Sequence, residues 1–166
     1  SWKNFTGDAY YDLIEADLRE VLRLKKKYKN YKNIKIKNLA FGKQGDFLEL
    51  KILNNPAMSG FVDRIDVTPR YTGKIKFQQK VAKIKKIQTI SLNNYLIKSR
   101  NSFDFLKLDV EGFEVTILKN GVNIFSSLLG ARSEVCFTKA YKSIHVKNEG
   151  TFNSLHEIFR KQGFIL

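Results

Sequence analysis

The sequence is poor in several residue types, and each shortage excludes something. Cys136 is the single cysteine among 166 residues, so no disulfide can form within the chain, and a reducing compartment is allowed. Two prolines and no biased repeat exclude collagenous and Pro-rich material. No apolar stretch runs beyond a few residues, far short of the ~20 needed to cross a bilayer, so no membrane span is expected. No basic-then-apolar leader precedes Ser1, and the expectation is a cytoplasmic protein. Acidic residues are scarce: 16 Asp+Glu stand against 30 Lys+Arg, a net charge of +14. Hydrophobic residues at 43% and aromatics at 13% supply enough apolar surface to offset ordering entropy, which excludes a disordered chain. The length suits one domain, residues 1–166, with one sizeable core.

The positive charge has two readings. One is a footprint for phosphate backbones or another polyanion. The other is compositional drift: 23 Lys, only 7 Arg, and many Asn, Ile, Phe and Tyr share AT-rich codons. Lys is a point charge without the planar fork of Arg, the leading residue of specific nucleic-acid readout. The lysines are scattered, densest at Lys25-Lys26-Lys27 and from Lys83 to Lys86.

Along the chain, Ala9 to Ile14 is a short apolar run ending at Glu15, a strand. Asp17 and Glu20 have capping-box spacing, with Asp in the Ser/Thr place. Leu18, Val21, Leu22 and Leu24 follow, mostly on one side of a helix, with Tyr28 beyond. Ile34, Ile36 and Leu39 alternate with polar residues, and Ala40-Phe41 closes this second strand before Gly42. Strand, helix and strand predict a parallel pair. Residues 44–90 differ. Phe47 to Leu53 alternates, Asn54-Asn55-Pro56 breaks the pattern, and short strand-like segments run to Ile90. This is expected to be a β-hairpin insertion at the sheet edge, with a loop over 54–60.

Ser91 can cap a helix carrying Leu92, Tyr95 and Leu96. Phe103 to Leu108 is nearly continuous in apolar character, as in a strand covered on both faces. Asp109-Val110-Glu111-Gly112 is the turn after it, Phe113 to Lys119 a helix, and Asn120-Gly121 its stop. Leu128 to Phe137 holds another buried strand, with Cys136 a small core hydrophobe. Thr151 can cap a last helix, and Gly163-Phe164-Ile165-Leu166 begins a further strand. The alternation predicts an α/β, doubly wound, mostly parallel sheet.

In such sheets ligands bind outside the carboxyl ends of the strands. Glu15 and Asp109 lie there. Glu15 suits a ribose acceptor or a charge favoured by a helix N-terminus. Asp109, Glu111 and Glu114 put three carboxylates within six residues. Their repulsion is relieved by a cationic partner or by a network of substrate hydroxyls; the structural alternative is that Glu111 and Glu114 decorate a helix start. His145, a lone histidine in a polar loop, is a weaker candidate base.

The segment Phe103-Asp104-Phe105-Leu106-Lys107-Leu108-Asp109-Val110-Glu111-Gly112-Phe113-Glu114, with Val115, Leu118, Lys119 and Gly121 after it, resembles the signature of the FkbM family of S-adenosylmethionine-dependent methyltransferases. Ile90 to Tyr95 resembles the stretch leading into it. Leu13 to Asp17 and Asn38 to Gly42 resemble cofactor-domain segments. The resemblance runs from about Tyr10 onward. It implies a class I, Rossmann-like methyltransferase fold and S-adenosylmethionine as cofactor. Glu15 would hold the ribose hydroxyls, and Ala40 and Phe41 would lie near the adenine. Asp109 would sit by the methionine end and the acceptor, and Glu134 would match an acid on the substrate side. Methyl transfer to a hydroxyl oxygen of a sugar or secondary metabolite follows, with a small-molecule or glycan acceptor and with Asp109 or Glu111 as base. No metal ligands are implied. The family's first strand and Gly-rich turn are not matched, since only Gly7 precedes Glu15; the expectation is a fragment of the domain. The rival expectation is a non-catalytic basic α/β module that binds nucleic acid or another polyanion.

Overall fold

The computed structural model of the chain describes residues 9–64, 77–135, 141–142 and 152–165. They form two compact units, Ser1–Ala40 and Phe41–Leu166.

In the first unit, β1 (Tyr11–Glu15), α1 (Leu18–Lys27) and β2 (Ile34–Asn38) make a strand–helix–strand unit. The strands pair in parallel, from Tyr11 against Ile34 to Glu15 against Asn38. A carboxylate at the N-cap satisfies an N–H that the first helical turn leaves without a partner; here Asp17 accepts from the Arg19 N–H at 2.9 Å. Lys25, Lys26 and Lys27 end the helix, where the negative end of its dipole favours them. The capping box expected of Asp17 and Glu20 is only half formed. Glu20 instead pairs with Arg23 one turn on, at 2.6 Å, because a half-buried acid gains more from a guanidinium within reach than from a neutral N–H. The apolar stripe is also narrower than its periodicity suggests: Val21 is buried, while Leu18 and Leu22 are 49% and 59% exposed.

The second unit opens with β3 (Phe47–Leu53) and β5 (Val81–Gln88), an antiparallel ribbon that bulges between Ile52 and Leu53. Between them come a 3-10 turn, Pro56–Met58, capped by Asn55, and β4 (Asp63–Arg64), which pairs with β8 (Tyr141–Lys142). Ser91 caps α2 (Leu92–Ser99), its hydroxyl accepting from the Asn94 N–H. Then β6 (Phe105–Leu108), α3 (Glu114–Lys119) and a 3-10 turn lead to β7 (Gly130–Ser133), parallel to β6. The last helix is α4 (Phe152–Lys161).

Leu92, Phe113, Val115, Leu118, Ile124 and Leu155 are among the buried core residues of this unit, each contributing about 1.5–3 kcal/mol through burial. Gly121 lies against α2. A Cβ there would fall 2.6 Å from the Leu92 side chain, so only glycine permits this approach.

The described residues are thus mixed α/β, with strands in four two-stranded sheets, two parallel and two antiparallel. A continuous doubly wound sheet is not what the described strands form. The reason is visible in β6, expected to be covered on both faces. Phe105 is 50% exposed and Leu108 only 5%, so one end of the strand meets water and an all-round apolar cover is missing. The strand expected over 128–137 is reduced to β7; Cys136 and Phe137 lie outside the described residues, as do Thr151 and His145. Gly163-Phe164 is not a strand. Gly163, at φ 85°, caps α4 in left-handed geometry, its N–H bonding to Arg160 and that of Phe164 to Phe159. The Phe164 ring folds back to 5.7 Å from Phe159, a common accompaniment of such caps. Among the described residues no helix is long and apolar enough to cross a membrane.

Candidate functional site

In the first unit the chemistry-bearing residue is Glu15, the last of β1. Its Oε1 accepts from the Asp17 N–H at 2.8 Å. Burial raises its pKa, opposed by the N–H groups of Asp17 and Ala16 and reinforced by the like charge of Asp17. Asp17 is itself buried, its carboxylate held by the Arg19 guanidinium at 2.7 Å. A carboxylate has about four acceptor positions, so Glu15, anchored by the backbone behind it, has capacity for further donors. Ala40 is buried.

Phe41 belongs to the second unit. Its backbone bridges in parallel to Ile90, and its ring meets Tyr95 edge-on at 5.2 Å. Tyr95 in turn stacks with Phe103 at 6.4 Å, so Phe41 is one wall of an aromatic group.

The acids of this unit gather where β6 ends. Leu108 points into the core and Asp109 follows it outward, paired with Lys107 Nζ at 2.5 Å. Residues two apart on an extended chain share a side, which is why this pair forms. Both partners are partly exposed, and the pair is worth at most about 1 kcal/mol. Next the backbone turns sharply: Glu111 has φ 56° and Gly112 φ 93°. Left-handed geometry costs a side-chain-bearing residue about 1–2 kcal/mol, so Glu111 holds it only because neighbours impose it.

Glu114 is one of those neighbours. It is 1% exposed, and its Oε1 turns back to accept the Val110 N–H at 3.1 Å. Burial pushes its carboxyl above the ordinary range. The N–H groups of Glu114, Val110 and Gly112 oppose that rise, and the negative charge of Glu134 adds to it. Glu134 follows β7. Its N–H donates to the Leu108 carbonyl at 3.1 Å, which brings the start of its chain to the end of β6. Glu134, expected from the family resemblance, thus starts beside the strand end from which the contiguous Asp109 and Glu111 continue.

The far wall is built by the segment after the first 3-10 turn. Gly60 is so close that a Cβ on it would stand 3.2 Å from the Glu111 Cβ, and the Phe61 ring lies 5.4 Å from that of Phe113. Sequence reasoning missed this contact and the burial of Glu114. The second had a signal, because Glu114 stands between Phe113 and Val115, both apolar and both buried. Among the described residues no group of three or more His, Cys, Asp or Glu side chains could hold a metal ion.

A strand end ringed by carboxylates can accept hydrogen bonds from hydroxyls, receive a proton, and favour a nearby cation. In comparison with known families, the family model described as Methyltransferase FkbM domain matches residues 5–166. No curated protein and no solved structure matches the chain.

Proposed function

The chain belongs to the FkbM methyltransferase-domain family, and from that premise we propose that it is an S-adenosylmethionine-dependent O-methyltransferase. Its acceptor on this reading is a hydroxyl of a sugar or secondary metabolite, and its compartment the cytoplasm. The observation that carries the reading is the turn after β6, where Asp109, Glu111 and Glu134 converge at the carboxyl end of a parallel strand. Two parallel pairs, each joined through a helix, are the units from which a doubly wound Rossmann-like sheet is assembled.

The donor set suits the cofactor. Glu15, ending β1 with its carboxylate anchored on the Asp17 N–H, takes the two ribose hydroxyls as donors. On this reading Phe41 would offer apolar surface to the adenine, while Ala40 is buried. When bound, S-adenosylmethionine supplies a methyl group already activated as a sulfonium. The work left to the protein is to position the acceptor and to take its proton. Asp109 orients the acceptor hydroxyl, and Asp109 or Glu111 receives its proton. Glu134 would accept a further substrate hydroxyl on the acceptor side.

Calorimetric titration with S-adenosylhomocysteine tests this. The protein should show saturable binding, and Glu15→Ala should weaken it about tenfold or more, the worth of a hydrogen bond to a charged group. No heat of binding to the wild-type protein ends the reading. A second reading, a basic module on nucleic acid or another polyanion, is favoured by the net charge of +14 and by exposed Lys83, Lys85 and Lys86 on β5. A gel shift of random oligonucleotides that weakens steeply with salt would support it.

A further inference from the structure

We propose that Gly60 and Phe61 are positioning residues that hold the Glu111 turn in place from the side of the β3–β5 ribbon. The proposal rests on the methyl-transfer reading of that turn and deepens it: the ribbon segment becomes part of the acceptor site's framework.

The segment is itself fixed. Gly60 and Lys51 exchange backbone hydrogen bonds, Lys51 N–H to the Gly60 carbonyl at 2.9 Å and Gly60 N–H to the Lys51 carbonyl at 3.2 Å. One residue earlier, the Ser59 hydroxyl accepts from the Leu53 N–H at 3.1 Å. Gly60 is therefore pinned to β3, buried, and pressed on Glu111. A Cβ at position 60 would lie 3.2 Å from the Glu111 Cβ and 3.9 Å from the Val110 carbonyl oxygen. The first is closer than ordinary contact, so the turn would have to give by a few tenths of an ångström. Beside this contact, Phe61 packs on Phe113 with rings 5.4 Å apart and tilted by 47°. Phe113 is 3% exposed and ends the turn, so Phe61 bears on the other end of the same five residues. A turn with two consecutive left-handed residues has no ladder of its own to stiffen it, and contacts of this kind are what impose its shape.

Hydrogen–deuterium exchange of the whole protein tests this, with Gly60→Ala, Phe61→Ala and Phe61→Leu, and Ala57→Ser as a control at an exposed position of the same segment. Exchange of residues 110–114 should quicken about tenfold in Gly60→Ala and Phe61→Ala, be largely rescued in Phe61→Leu, and stay at the wild-type rate in Ala57→Ser. Exchange of α4 should change much less than that of 110–114, and the melting midpoint should fall by no more than about 6 °C; a role in general packing would quicken every segment together. Wild-type exchange over 110–114 in Gly60→Ala and Phe61→Ala overturns the proposal, as does quickening spread evenly over the chain. Should one alanine variant fail to fold, the other still decides, because it must quicken exchange over 110–114 more than in any other segment. S-adenosylhomocysteine binding by the wild-type protein, measured in parallel, tests the methyl-transfer reading separately.

Discussion

Replacing Glu114 by alanine should destabilise the second unit by about 2 kcal/mol at neutral pH. The carboxylate is 1% exposed and accepts the Val110 N–H at 3.1 Å. Its removal leaves a buried donor without its partner, a cost of about 1–3 kcal/mol. One buried methylene goes with it, at about 0.8 kcal/mol. Relief of a buried charge offsets part of the loss. For a chain of this length about 2 kcal/mol lowers the melting midpoint by roughly 4–8 °C. Glu114→Gln keeps an acceptor for Val110 and should fall much less.

The pH dependence has a definite sign. Burial raises the Glu114 carboxyl above its ordinary value of 4.5, so the folded protein binds that proton more tightly than the unfolded chain. The stability it contributes is complete below 4.5 and is lost as pH rises through the raised folded value. Wild-type stability should therefore decline over that window, and Glu114→Gln should decline less. Glu15 is raised in the same direction, again chiefly by burial, so the substitution flattens the slope without abolishing it. Thermal melts read by circular dichroism between pH 4 and pH 8 measure both effects. An alanine variant that melts with the wild type at pH 7, or a glutamine variant with an identical slope, would refute the clamp assigned to Glu114.

Two further substitutions separate chemistry from packing. Asp109→Asn should leave the melting midpoint in place, since the half-exposed pair with Lys107 is worth at most about 1 kcal/mol; methyl transfer should drop about 100-fold or more, and unchanged turnover would remove Asp109 from the site. Gly121→Ala puts a Cβ 2.6 Å from Leu92 Cδ2 and 2.7 Å from its Cβ, an overpacking cost of about 1–3 kcal/mol, and a midpoint equal to wild type would show that α2 can move away freely.

Much of the site could be read before any coordinates. Strand ends at Glu15 and at Leu108, the cap at Asp17, the cap at Ser91 and the turn at Gly112 all rest on short-range signals: an apolar run that stops, a side-chain oxygen two or three residues ahead of the N–H it accepts, a glycine where φ turns positive. Such signals act within a few residues, so they survive without knowledge of the rest of the chain. The family signature around Asp109 is of the same kind, being contiguous.

Burial is not local, and the remaining features follow from it. Glu114 and Glu111 are three positions apart and alike in sequence, yet one is 1% exposed and clamps the turn while the other is its strained apex. Leu18 and Leu22 carry the same helical pattern as Val21 but meet water, and Phe105 meets water at the edge of a strand that reads as apolar throughout. Phe164 returns to its own helix and extends no strand. By itself, then, the amino-acid order located β1, α1, β2, α2, β6 and α3 and the acids at the ends of β1 and β6, but not the extent of β7 or the return of Phe164. Only the packed chain decided which acid is desolvated and which glycine is pressed on Glu111, because both depend on neighbours brought close by folding across long stretches of sequence.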